Sequence, residues 1–157
     1  MWNGAIVSIH LAPDAGAPMQ AVHDAVIVAG HGLEGDRYRS DAGTFSDKPG
    51  PDRHVTLIAL EDVEAFTRET GVPLDPGETR RNVVTRGVPL NDLLGVEFTV
   101  GAVRLRGLRL CEPCAHLAKL TGRAVLPGLV HRGGLRAEAL TGGAIRQGDP
   151  ISPIGAR

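Results

Sequence analysis

Both cysteines of the chain stand in one tetrapeptide, Cys111-Glu112-Pro113-Cys114, about thirty residues after a basic turn, Glu78-Thr79-Arg80-Arg81-Asn82-Val83-Val84. A thiolate is a soft ligand and a nucleophile. Guanidinium groups grip phosphate through paired hydrogen bonds, and a carboxamide reads a heterocycle edge as donor and acceptor together. The two elements together suit a soft metal centre on an anionic organic carrier. Proline fits the first turn of a helix, so Cys114 falls just inside a predicted helix start. Arg109 lies upstream of it, and His116 and Lys119 follow it. Cations and a helix N-terminus lower a thiol pKa, which makes Cys114 a better candidate for an activated sulfur than Cys111.

The same residues admit other roles. A cysteine is often a small buried core residue. A structural zinc site needs four ligands, and here one Cys-x-x-Cys pair would need His54 and His131 from afar, because His116 is too close in sequence. A thioredoxin-like redox pair wants a βαβ setting. Arg80 and Arg81 also suit a solvated charge pair neutralising Glu78. His131-Arg132-Gly133-Gly134-Leu135-Arg136 allows close approach of backbone N–H groups to an anion, and equally makes an ordinary charged turn. Gly32-Leu33-Glu34-Gly35-Asp36-Arg37 has glycine spacing but lacks the following helix and lysine of a phosphate loop. His10 and His23 fall in predicted strands and read as packed or surface histidines.

The elements that must position these residues are short. Ala5–Leu11, Ala21–Ala29 and Val55–Leu60 alternate and are rich in Ile and Val, so they read as strands. Glu61 and Asp62 open a helix through Thr70, with Gly71 as its stop. Asn82–Thr85 is a short strand and Pro89–Leu94 a helical turn. Val96–Val100 and Val103–Leu110 form a hairpin around Gly101-Ala102. A helix is predicted from Pro113 to Leu120, and closing strands over Gly133–Leu140 and Ala144–Ile154. The polar stretch Arg39–Arg53 reads as a long exposed loop.

The 157 residues, 42% of them hydrophobic and 22% charged, are the size of one ordinary domain with a real core, spanning 1–157. The net charge of −1 gives no global pull toward nucleic acid or an anionic membrane, so anion binding has to be local. Aromatic residues make up 3%, too few for a base-stacking platform. The 21 glycines and 11 prolines fit many turns between short strands. Two cysteines do not make a secreted disulfide framework, and neither a leader nor an apolar run of about 18 residues is present. A cytoplasmic protein with reduced cysteines is expected. The fold class read from these elements is mainly β, a closed or half-closed barrel with two or three short helices.

The ordered motifs resemble the MOSC domain, the C-terminal module of molybdenum cofactor sulfurases, which also occurs as small free-standing proteins. The likeness is carried by Gly32-Leu33-Glu34-Gly35-Asp36-Arg37, Val55-Thr56-Leu57-Ile58 with Glu61, and Arg80-Arg81-Asn82-Val83-Val84. It continues through Leu90, Leu93, Gly95, Phe98 and Gly101, Glu112-Pro113-Cys114, Gly133-Gly134-Leu135-Arg136-Ala137 and Gly148-Asp149-Pro150-Ile151. The resemblance implies a MOSC-type β-barrel-like fold and binding of the molybdenum cofactor (molybdopterin), a pterin that holds its metal through a dithiolene. On that analogy Cys114 is the catalytic residue and metal thiolate, or a sulfur carrier. Arg80 and Asn82 hold the pterin or its phosphate, with Arg81, His131 and Arg132 as neighbours. Family members reduce N-hydroxylated compounds, including base analogues and amidoximes, or are assigned sulfur transfer. Larger members carry a further N-terminal β-barrel or an aminotransferase-like, pyridoxal phosphate-associated sulfurase domain. The implied partners are a small-molecule substrate and an electron-donating reductase or sulfur-donor protein, with no nucleic acid and no membrane.

Overall fold

Val55-Thr56-Leu57-Ile58-Ala59 is apolar on both sides, as a strand covered on two faces has to be. The structure, a computed structural model, describes residues 2–12, 19–30, 32–34, 55–71, 81–110 and 134–154. In chain order the first strands are β1 (Gly4–Leu11), β2 (Gln20–Val22), β3 (Asp24–Val28), β4 (Gly32–Leu33) and β5 (Val55–Ala59). Helix α1 (Leu60–Thr70) follows, then β6 (Val83–Arg86) and a 3₁₀ turn at Leu90–Leu93. The remaining strands are β7 (Glu97–Val100), β8 (Val103–Leu110), β9 (Leu135–Ala139), β10 (Gly143–Arg146) and β11 (Pro150–Pro153).

The strands β1, β6, β5, β9, β8, β7 and β11 pair in that order, and β11 returns to β1, closing a barrel. Closure leaves no sheet edge in that ring. Every pairing in it is antiparallel except β5 with β6, the two strands joined through α1. One edge of β1 is taken by β6; the other is divided between β11, at Gly4 and Ala5, and β2, at Ile9–Leu11. A second, three-stranded sheet has the order β10-β3-β4.

Side chains alternate across a strand, and the barrel interior is filled accordingly. Ile9, Leu57, Val83, Phe98, Val100, Leu105 and Leu135 are fully buried in one cluster. Ile58 and Val84, on the alternate positions of β5 and β6, are also buried but lie outside that cluster. Helix α1 packs on these two strands with Val63 and Phe66 buried three residues apart, which places them on one helical face. Burying each such side chain contributes about 1.5–3 kcal/mol. Glu61 and Asp62 in the first turn complement the helix dipole. Gly71 ends the helix in a left-handed conformation, its N–H donating to Thr67 O at 2.8 Å.

Two predicted strands divide. Ala21–Ala29 bends at His23, because β2 pairs with β1 while β3 belongs to the small sheet. Ala144–Ile154 breaks at Gln147-Gly148-Asp149, where Gly148 has φ +91° and Asp149 Oδ2 accepts from Arg146 N at 2.9 Å. That turn moves the chain from the small sheet into the barrel. Leu60 begins the helix instead of ending the strand. Among the described residues there is one α-helix beside the 3₁₀ turn, and none long and apolar enough to cross a membrane. The loop Arg39–Arg53 and the helix Pro113–Leu120 lie outside the described residues.

Candidate functional site

Asn82 sits where the basic turn enters β6, and it is fully buried. A buried carboxamide needs hydrogen-bond partners, and here they come from two other strands. Its Oδ1 accepts from Thr56 N at 3.2 Å and from Thr56 Oγ1 at 3.1 Å. Its Nδ2 donates to the carbonyl of His10 at 3.2 Å. The main chain repeats the pattern: Asn82 N donates to Thr56 O and Thr56 Oγ1, both at 3.0 Å, and His10 N donates to Asn82 O at 2.7 Å. One residue thus ties β1, β5 and β6 together at the point where β6 starts. Arg81, the preceding residue, is buried as well and is held by interactions of its own.

The polar row continues across the sheet. Thr56 lies opposite Arg136 on β9, and Arg136 lies opposite Arg109 on β8. Two like charges directly opposite each other in an antiparallel pair cost stability. Two residue pairs along, Arg106 Nη2 donates to Glu138 Oε1 at 2.7 Å, and this ordinary pairing raises the Arg106 pKa. Arg109 and Arg136 also make further interactions within the chain. The row from His10 through Asn82 and Thr56 therefore carries two arginines, Arg136 and Arg109, at one end and the clamp at the other.

Sequence reasoning passed over Thr56 as a site residue and read His10 as a packed or surface histidine. His10 is buried, with its Nε2 at 2.8 Å from Ser8 Oγ, and burial holds its imidazole pKa below the ordinary value. The signal for Thr56 is a single hydroxyl inside an otherwise apolar strand. His23, by contrast, is exposed beside Asp24.

Of the residues singled out in the sequence, Arg81 and Asn82 are brought together here. Arg80, Cys111, Cys114, His131 and Arg132 lie outside the described residues. Strand register bounds the distances. Leu110, the last residue before Cys111, pairs with Leu135, which pairs with Leu57 beside Val83. Those are three steps of about 4.8 Å each. Strand β8 runs in the same sense as β5 and β6, and its last residue, Leu110, is level with Val83 at the start of β6. Gly134 has φ +102°, and a Cβ there would collide with the carbonyl oxygen of Leu57. Close backbone packing therefore already requires one glycine of the Gly133-Gly134 pair.

An open cavity of about 460 Å³ lies at the far end of β6, lined by Trp2, Ala59, Asp62, Val88, Leu90 and Asp92 among others. Glu61 also lines it, and its Oε2 accepts from Gly87 N at 2.8 Å. Its carboxylates disfavour an anionic ligand, so the cationic row, rather than this cavity, is the candidate anion site. Among the described residues no group of three or more His, Cys, Asp or Glu could hold a metal ion.

The family model described as the MOSC domain matches residues 33–152. A comparison with curated proteins finds no match. Among solved structures, the YuaD protein from Bacillus subtilis is similar with a TM-score of 0.79 and 18% identity, covering 96% of this chain and 97% of that one. YiiM from Geobacillus stearothermophilus is similar with a TM-score of 0.73 and 19% identity, covering 98% of this chain and 78% of that one. YiiM from Escherichia coli has a TM-score of 0.68 and 17% identity, covering 100% and 71% respectively. These likenesses are likenesses of fold.

Proposed function

Because the chain belongs to the MOSC domain family, we propose that it binds the molybdenum cofactor and reduces N-hydroxylated compounds, with Cys114 as the metal thiolate. The observation that carries this reading is the cationic row ending in the clamp at the entrance to β6. The donor set fits the group: an anionic, phosphate-bearing pterin needs guanidinium partners held in place, and Arg109 lies opposite Arg136 in the row that Asn82 and Thr56 extend. When bound, the cofactor supplies two-electron oxygen-atom transfer.

The residues of this chain bind and orient. Arg80 and Arg81 hold the phosphate end, with His131 and Arg132 as neighbours. Asn82, fully buried, contributes by fixing the turn from beneath. Cys114 would supply the protein's one thiolate to the metal. The net reaction takes R–NHOH, two electrons and two protons to R–NH₂ and water; a reductase partner is the electron source.

The test is reduction of an amidoxime by protein purified from a cofactor-competent host, with a reduced dye as donor. Wild type turns the substrate over and Cys114→Ser does not. Equal turnover by both defeats the assignment of Cys114. A labile persulfide on Cys114 without turnover assigns sulfur carriage instead of N-reduction.

A further inference from the structure

We propose that Thr56 is the positioning residue for the basic turn, acting through Asn82 to set the direction from which Arg81 meets its anionic ligand. The identity of that ligand rests on the cofactor reading; the positioning itself does not. Thr56 occupies the centre of the clamp. Its hydroxyl donates to Asn82 Oδ1 at 3.1 Å and accepts from Asn82 N at 3.0 Å, while its own N–H donates to the same Oδ1 at 3.2 Å. One side chain therefore meets both the main chain and the side chain of the residue next to Arg81.

The geometry sets this threonine apart from an ordinary strand residue. Strands β5 and β6 are parallel, with Leu57 beside Val83, Ile58 beside Val84 and Ala59 beside Thr85. Thr56 is thus beside Asn82, one residue before β6 begins, where the regular ladder has not yet started. At that position side-chain bonds reinforce the single main-chain bond from Asn82 N to Thr56 O. Thr56 is also the residue opposite Arg136, so it stands between the turn and the arginine pair of β8 and β9. Its partners lie 26 residues away in sequence, so local structure alone cannot make the arrangement. A valine at this position would keep the shape and the main-chain bonds but leave Asn82 Oδ1 with one donor fewer.

The experiment compares wild type, Thr56→Val and Thr56→Ser, all purified from a cofactor-competent host. Two quantities are read: pterin and molybdenum retained per chain after dilution, and amide hydrogen exchange over Arg81–Val84 in protein stripped of cofactor. Thr56→Val is expected to retain about tenfold less cofactor than wild type, the size expected for a stranded buried hydrogen-bond partner. It is also expected to exchange faster at Arg81–Val84 while β7, β8 and β9 keep wild-type protection. Thr56→Ser restores the hydroxyl, so both readouts return to wild type. A purely structural role would instead loosen the whole barrel, or fail to be rescued by serine.

If wild type retains cofactor and Thr56→Val retains it equally, the positioning claim is overturned while the cofactor reading stands. If wild type retains none, the cofactor reading fails, and the exchange data alone decide the positioning claim: unchanged protection at Arg81–Val84 in Thr56→Val overturns it. Should the valine variant not fold, Thr56→Cys, a weaker donor of similar size, carries the same expectation with a smaller loss.

Discussion

Replacing Asn82 by alanine removes three side-chain hydrogen bonds at once. Two donors on Thr56, its N–H and its hydroxyl, lose an acceptor, and the carbonyl of His10 loses a donor. All three partners are at buried residues, with Thr56 1% and His10 7% exposed, so water cannot readily replace the amide. A stranded buried polar group costs about 1–3 kcal/mol. The Thr56 hydroxyl can turn toward another acceptor, and losses within one network are not additive. The expected destabilisation is therefore about 3–5 kcal/mol, a large part of the roughly 5–15 kcal/mol that holds a typical domain together. For a domain of this size that corresponds to a fall of about 6–20 °C in Tm, at about 2–4 °C per kcal/mol. Urea unfolding followed by far-UV circular dichroism measures the change directly. A loss below about 1 kcal/mol with an unchanged urea slope would refute the clamp as the element that joins β1, β5 and β6.

Further outcomes follow from other residues. Gly134→Ala is expected to abolish folding or cost more than about 4 kcal/mol, because the new methyl meets the Leu57 carbonyl at a φ that alanine also disfavours; a soluble variant with wild-type Tm would contradict the close packing of β9 on β5. Burial keeps the folded His10 pKa below its ordinary 6.5, so the unfolded chain takes up this proton first as the pH falls. Stability should therefore decline below about pH 6.5 and level off once the folded imidazole is protonated. His10→Gln should flatten that decline in unfolding free energy between about pH 7.5 and pH 5.5, and identical slopes in the two proteins would rule His10 out as its source.

Much of the barrel is readable from alternation and turn chemistry. Ala5–Leu11, Val55–Leu60 and the hairpin at Gly101-Ala102 announce their strands because each has apolar residues at barrel-facing positions, and Gly71 marks the helix end. What the sequence hides is where a strand changes sheet. His23 carries no turn signal, yet the chain bends there because β1 and β10 demand different neighbours. The site is legible to a similar depth. The Arg80-Arg81-Asn82 turn is visible as a cluster of donors, but the strand pairing that surrounds Asn82 with Thr56 and His10 is a long-range fact, 26 and 72 residues distant. A lone threonine in an apolar strand and a strand histidine are commonplace, so neither declares its partner. The arginine pair likewise appears only once β8 and β9 are in register.

Under the proposed function, the Cys114 thiolate and the basic turn hold one metal-bearing pterin on this barrel. Molybdenum by elemental mass spectrometry and pterin by fluorescence of its oxidised form, both per chain, test it most directly in wild type beside Cys114→Ser. Wild type is expected to carry molybdenum and pterin in equal amounts, and the variant to have lost most or all of its molybdenum. Equal loading of both proteins, or wild type carrying neither, would contradict it.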